Sequence, residues 1–280
     1  MGLIPALRIQ ENMQSSYADI LERIQHALDA ARLVFARFTP GEIEAEYKAG
    51  HDPVTEADRA VDAVLKQNLL RDGEGWLSEE TADDASRLDK KSVWIVDPLD
   101  GTREFVTGLP EFCVSIGFIE NGKPVAGGIY NPATKQTFVG ASDAGVLYNG
   151  KPAGPSQRTS LSGALVLASR SEVKRGEWKQ FESSGLRIQA LGSIAYKLAL
   201  VSAGLADITF TLTPKHEWDV AAGGALVRAA GGFVCKPDGS ELRCNQRSPL
   251  LPGLLAGGPR LRDELLAAIH RPVGADSRGR

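Results

Sequence analysis

The chain has 280 residues, of which 42% are hydrophobic and 24% charged, and carries a formal net charge of −3. That length holds one large domain or two of ordinary size without shortage of core. The slight acidity gives no electrostatic basis for gripping a nucleic-acid polymer. No apolar run reaches the roughly 18 residues of a membrane span. The opening MGLIPALRIQENMQ lacks a basic stretch followed by a sustained apolar core, so no secretory signal is expected. Cys113, Cys235 and Cys244 match neither a zinc knuckle nor a disulfide framework, and the chain reads as cytoplasmic.

In chain order, apolar residues from Tyr17 to Phe35 recur at helical spacing and predict a helix over about 17–37. A second helix is expected from Thr55 to about Leu70, with Val61, Val64, Leu65 and Leu69 on its apolar side. Residues 93–96 (Val-Trp-Ile-Val) read as a buried strand ending at Asp97. From Phe112 to Leu147 the texture is β, with Asn121-Gly122 as a tight hairpin turn and Asn149-Gly150 as another turn or the start of a link. The Pro-, Gly- and Ser-containing stretch Lys151–Ser160 is the candidate boundary, dividing the chain into 1–152 and 153–280. Beyond it, strands are expected at Ala164–Ala168, Ile188–Leu191, Ile208–Leu212 and Leu254–Ala256. Helices are expected at Ile194–Ala203, at Val220–Ala230 with Gly231-Gly232 as its C-cap, and at Arg260–His270. From Pro272 the chain reads as a frayed tail. Alternating elements in two halves imply a layered α/β fold.

Four acidic motifs interrupt this pattern. In Asp52-Pro-Val-Thr-Glu-Ala-Asp58, Thr55 and Asp58 have the spacing of a capping box, a reading as strong as a catalytic one. In Trp76-Leu-Ser-Glu79-Glu80 the acids read locally as a solvated loop. In Asp97-Pro-Leu-Asp-Gly-Thr102, Pro98 favours a sharp turn that brings Asp97, Asp100 and the Leu99 carbonyl together. These are hard oxygen donors of the kind Mg²⁺ takes, although Asp-Gly is also ordinary turn chemistry. In His216-Glu-Trp-Asp219, Asp219 suits a helix N-terminus, while His216 and Glu217 sit behind ligands or face solvent.

Taken together, Asp52-Pro-Val-Thr-x-x-Asp58, Ser78-Glu79-Glu80, Asp97-Pro-Leu-Asp-Gly-Thr102 and Trp218-Asp219-x-Ala-Ala-Gly resemble the inositol monophosphatase superfamily of metal-dependent, lithium-sensitive phosphomonoesterases. The resemblance spans about residues 17–270. It implies an αβαβα sandwich, usually dimeric, with the active site between two subdomains. It also implies two to three Mg²⁺ ions. Glu79, Asp97 and the Leu99 carbonyl match the ligands of the first, Asp97, Asp100 and Asp219 those of the second, and Glu79 faces a third. Asp58 and Thr102 match the pair that orients and deprotonates the attacking water. Gly101 and the amides near Thr102 match the backbone that approaches the phosphate. Hydrolysis by direct water attack, with no covalent phospho-enzyme, follows.

For the substrate, Asp97-Pro-Leu-Asp-Gly-Thr-Arg103-Glu104-Phe105 looks more like the CysQ-type 3′(2′),5′-bisphosphate nucleotidases, as do Leu77-Ser-Glu79-Glu80 and the Asp238–Gln246 segment. Inositol monophosphatases also place a glutamate shortly before the Trp-Asp motif, where this chain has Thr211-Leu212-Thr213-Pro214. Gly192-Ser193-x-x-x-Lys197 resembles a nucleotidase segment that puts a cation near a second phosphate, although Lys197 reads equally as a solvated helix residue. Val106-Thr-Gly-Leu-Pro110 resembles the inositol phosphatase continuation. The expected substrate is adenosine 3′,5′-bisphosphate, with 3′-phosphoadenylyl sulfate as a second, which would tie the chain to sulfate assimilation. Inositol 1-phosphate or a sugar phosphate is the alternative. Inhibition by Li⁺ at the second metal site is expected. Two other classes compete. The aspartyl-phosphate phosphatases use Asp-x-Asp-Gly-Thr, whereas Asp97 and Asp100 are three apart. A non-catalytic binding module would keep the fold without turnover.

Overall fold

A computed structural model describes residues 15–47 and 53–270. Asp52, the opening segment and the tail from Pro272 lie outside the described residues. Helix α1 (Ala18–Phe35) and helix α2 (Glu56–Leu69) pack side by side on one face of a seven-stranded sheet. From edge to edge that sheet runs Gly75–Ser78, Ser92–Asp100, Cys113–Glu120, Lys123–Asn131, Gln136–Ala141, Gly145–Tyr148 and Lys151–Ala153. The first pair is parallel and the rest antiparallel. Both faces of the Ser92–Asp100 strand are covered, which is why its sequence is apolar throughout. Trp94 and Val96 enter the core beneath α1 and α2, while Val93 and Ile95 meet Ala221 on the other side. The hairpin residues Asn121 (φ 51°) and Gly122 (φ 77°) are both left-handed, as a two-residue turn between twisted strands requires.

After α3 (Thr102–Val106), the second half adds α4 (Arg170–Lys174), α5 (Ile194–Ser202), α6 (Glu217–Ala229) and α7 (Arg262–Ile269). Its five-stranded sheet has the order Arg187–Leu191, Leu165–Ser169, Ile208–Thr211, Leu254–Gly257, Phe233–Cys235. Helices α5 and α6 lie between the two sheets and touch both. On the outer face, Trp178, Phe181 and Phe210 stack with Leu265 of α7. The layers are therefore helix, sheet, helix, sheet, helix, the expected αβαβα sandwich. Its middle layer is thin because α6 is built of small residues. A Cβ on Gly127 would lie 2.6 Å from the Ala222 carbonyl oxygen, and one on Gly117 would lie 2.8 Å from the Ala221 Cβ.

The predicted elements recur with ends moved by at most three residues. One of the two largest shifts is at α6, which begins at Glu217 rather than Val220. Its C-terminus closes as the glycine pair implied. Gly232 N–H donates to Val227 O and Gly231 N–H to Arg228 O, both at 2.9 Å, with Gly231 left-handed at φ 85°. The strand ending expected at Asp97 is corrected: pairing continues to Asp100 through a register shift.

Candidate active site

That register shift explains the spacing of the two aspartates. Asp97 pairs with Ser115 and Asp100 with Cys113, so two residues between them, Pro98 and Leu99, oppose the single Val114 of the neighbouring strand. In a regular strand, residues three apart point to opposite faces; the extra residue of a bulge returns Asp100 to the face of Asp97. A bulge, and not a turn leaving the sheet, brings the pair together. Leu99 points the other way into the core beneath α1 and α2, and its carbonyl accepts a hydrogen bond from Thr102 Oγ1 at 2.9 Å. Gly101 follows at φ 98°, and a Cβ there would meet the Glu111 carbonyl oxygen at 2.7 Å. Glycine is thus required by packing against Glu111 and Phe112.

Three carboxylates from distant parts of the chain converge here. Glu79 follows the Gly75–Ser78 strand, Asp97 lies on the next strand, and Asp219 is in the first turn of α6; each offers an oxygen within 4.8 Å of the others. The local reading of Glu79 as a solvated loop residue is corrected by this meeting. Asp97 and Asp219 are held well above the ordinary carboxylate range, first by burial and then by the charges around them. For Asp97 these are Glu79, Asp100 and Asp219; for Asp219 they are Asp100 and Glu79. Such a set repels itself unless a cation enters, and hard oxygens without histidine or cysteine fit Mg²⁺-like ions. Asp100 is tethered separately: Ser193 Oγ donates to its Oδ2 at 2.7 Å and Ala195 N–H at 2.6 Å, joining the first sheet to the start of α5. Ser193 adopts φ 52°, a left-handed conformation that is costly for a residue with a side chain.

Asp58 answers both of its sequence readings. Its Oδ2 accepts the Thr55 N–H at 2.7 Å and the Thr55 hydroxyl at 2.6 Å, while Ala57 N–H donates to Thr55 Oγ1 at 3.1 Å. That is the capping box of α2. Its other oxygen accepts from Thr102 Oγ1 at 3.1 Å. Burial pushes the Asp58 carboxyl up despite these bonds.

A cavity of about 500 Å³ opens over these groups and is lined by Glu79, Asp97, Asp100, Thr102 and Asp219, with Gly192, Ser193 and Lys197 on the α5 side. The solvated reading of Lys197 is corrected. It is 3% exposed, its Nζ donates to the Leu191 carbonyl at 3.3 Å, and burial lowers its pKa to about 8. Glu217 is fully buried, holding the Asn245 and Gln246 amides at 2.6 and 2.9 Å, and burial raises it to about 7. His216 is exposed and stacks on Trp218 with ring centres 4.3 Å apart. The Asp238–Gln246 segment lies outside the cavity lining among the described residues: Asn245 pairs with Arg87 and, with Gln246, caps Glu217. Sequence reasoning missed Arg170 and Lys215 on the cavity wall, although Lys215 directly precedes the His216–Asp219 motif.

A model of the inositol monophosphatase family matches residues 16–274. The chain belongs to the inositol monophosphatase family. It is 34% identical over 270 residues to inositol monophosphatase 3 of Solanum lycopersicum, covering 88% of this chain and 97% of that one. The extragenic suppressor protein suhB of Bartonella henselae superposes with a TM-score of 0.78 at 28% identity, over 91% of this chain and all of that one. CysQ from Bacteroides thetaiotaomicron, described as a bacterial member of the family, gives 0.71 at 27% identity over 88% and 99%. As an inositol monophosphatase family member the chain is a phosphatase of a metal-dependent family, and its cluster of Glu79, Asp97 and Asp219 could hold a metal ion. No described helix is long and apolar enough to cross a membrane.

Proposed function

We propose that this phosphatase hydrolyses a small bis-anionic monoester, adenosine 3′,5′-bisphosphate above all, by direct attack of water in the presence of Mg²⁺. The observation that carries the reading is the meeting of Glu79, Asp97 and Asp219 in one cavity that Lys197 also lines. Residues 1–152 supply most of the donors and 153–280 supply Asp219. Two to three Mg²⁺ ions, held by Glu79, Asp97, the Leu99 carbonyl, Asp100 and Asp219, would neutralise the phosphate dianion and acidify the attacking water. Thr102 Oγ1, hydrogen-bonded to Asp58 Oδ1, orients that water and takes its proton while passing its own to Asp58. Burial raises the proton affinity of Asp58, which suits it to that role. Asp97 accepts the Leu99 N–H at 3.0 Å and would hold the cation, and its three-residue spacing from Asp100, unlike the Asp-x-Asp of the aspartyl-phosphate phosphatases, favours water as the nucleophile. Lys197 sits behind Asp100 and attracts the second anionic group of the substrate.

Inositol 1-phosphate is the second reading, favoured by the similarity to inositol monophosphatase 3 over nearly its full length. Turnover measured side by side on adenosine 3′,5′-bisphosphate, inositol 1-phosphate and fructose 1,6-bisphosphate tests the choice. The nucleotide is expected to lead in kcat/KM, and a lead for inositol 1-phosphate would replace it. Acid quench after a brief pulse of labelled substrate should trap no acyl-phosphate on Asp97. High-millimolar LiCl is expected to slow turnover at the Asp100 and Asp219 site, and an unchanged rate would remove that part. We also propose the homodimer usual in the family, which sedimentation velocity reads directly.

A further inference from the structure

Glu104 lines the cavity two residues after Thr102 and is not part of the donor set described above. Its carboxylate packs flat against Gly192, where a Cβ would fall 2.5 Å from Glu104 Cδ and Oε1. Gly192 is in turn fixed by its N–H to Glu111 Oε2 at 2.6 Å, and Glu111 also pairs with Arg170. The Glu104 side chain is therefore positioned by a braced backbone. Its carboxylate faces Asp100 and Glu111, which repel it, and Lys197 and Arg170, which attract it, and its own backbone amide donates to it. Among the described residues no other side chain is hydrogen-bonded to it, unlike Glu111, Glu172 and Glu217, each of which is tied by two or more bonds. A carboxylate beside a phosphate site repels the substrate unless a donor on the substrate satisfies it. A neutral alcohol is that donor, because an ammonium would pair as well with the acidic cluster itself.

We propose that Glu104 is a specificity-determining residue that accepts a hydrogen bond from a free hydroxyl on the alcohol part of the substrate. The substrate class is then a hydroxylated phosphate ester, a ribose or polyol phosphate in preference to a deoxy or plain alkyl one. A site built to bond a hydroxyl discriminates strongly against the analogue that lacks it, because its polar group is left unpaired.

This inference rests on the phosphatase reading of the same cavity, and its test separates the two. Kinetics with Mg²⁺ are measured on two substrate pairs: adenosine 3′,5′-bisphosphate against its 2′-deoxy form, and inositol 1-phosphate against cyclohexyl phosphate. The wild-type chain is expected to favour the hydroxylated member of whichever pair it turns over, by about tenfold or more, the value of one charge-assisted hydrogen bond. Glu104→Gln should lower that ratio by about tenfold, the share of that one bond, and Glu104→Asp should restore part of it. A ratio unchanged in Glu104→Gln, with a melting temperature like the wild type, overturns the inference while leaving the phosphatase reading intact. Absence of turnover on all four esters overturns both.

Discussion

At the scale of single residues, the site reuses groups that the fold already needs. Asp58 closes the first turn of α2 and holds Thr102, so capping and proton handling share one carboxylate. Thr55→Ala should cost about 1 kcal/mol of stability, the usual worth of an N-cap, read as a lower denaturant midpoint. Thr102→Ala removes the hydroxyl between water and Asp58 without touching that cap. We expect kcat to fall by roughly 100-fold, as for loss of general-base assistance, with the melting temperature nearly unchanged. A wild-type kcat in Thr102→Ala would remove it from the proton path.

At the scale of elements, two features set the active-site geometry: the bulge in the Ser92–Asp100 strand and the thinness of α6. A Cβ on Gly223 would press into the Leu198 side chain of α5, so Gly223→Ala should destabilise by about 1–3 kcal/mol through overpacking. Chemical denaturation measures this; a neutral result would mean the two helices have room to separate. Helices, strands and hairpin turns were legible in the sequence because periodicity, Asn-Gly pairs and the closing glycines are local signals. The motif acids were legible only as a set. What could not be read locally was made by partners far along the chain. The bulge depends on pairing with Cys113 and Ser115, the burial of Lys197 on packing between two sheets, and the burial of Glu217 on the returning Asn245-Gln246 loop. Glu79 looked like loop acidity because nothing near it in sequence announces Asp219.

At the scale of the whole molecule, the halves are joined through buried charge. Asp100 of the first sheet is tethered to α5, and Glu217 of α6 anchors the loop that pairs with Arg87. Glu217 has its pKa raised from 4.5 to about 7 by burial. The folded chain therefore binds this proton more tightly than the unfolded one, and its contribution to stability is present below about pH 4.5 and is lost as pH rises to about 7. Melting temperatures followed across that window with Mg²⁺ present should fall less steeply in Glu217→Gln than in the wild type. Parallel slopes would assign the dependence elsewhere. The convergence of Glu79, Asp97 and Asp219 on divalent cations is tested most directly by phosphate release titrated with Mg²⁺ in wild type and Asp219→Asn. The wild type should be silent in EDTA and saturate with Mg²⁺, while Asp219→Asn should stay folded and lose at least about 100-fold of that activity. Equal, Mg²⁺-independent rates in the two proteins would contradict it.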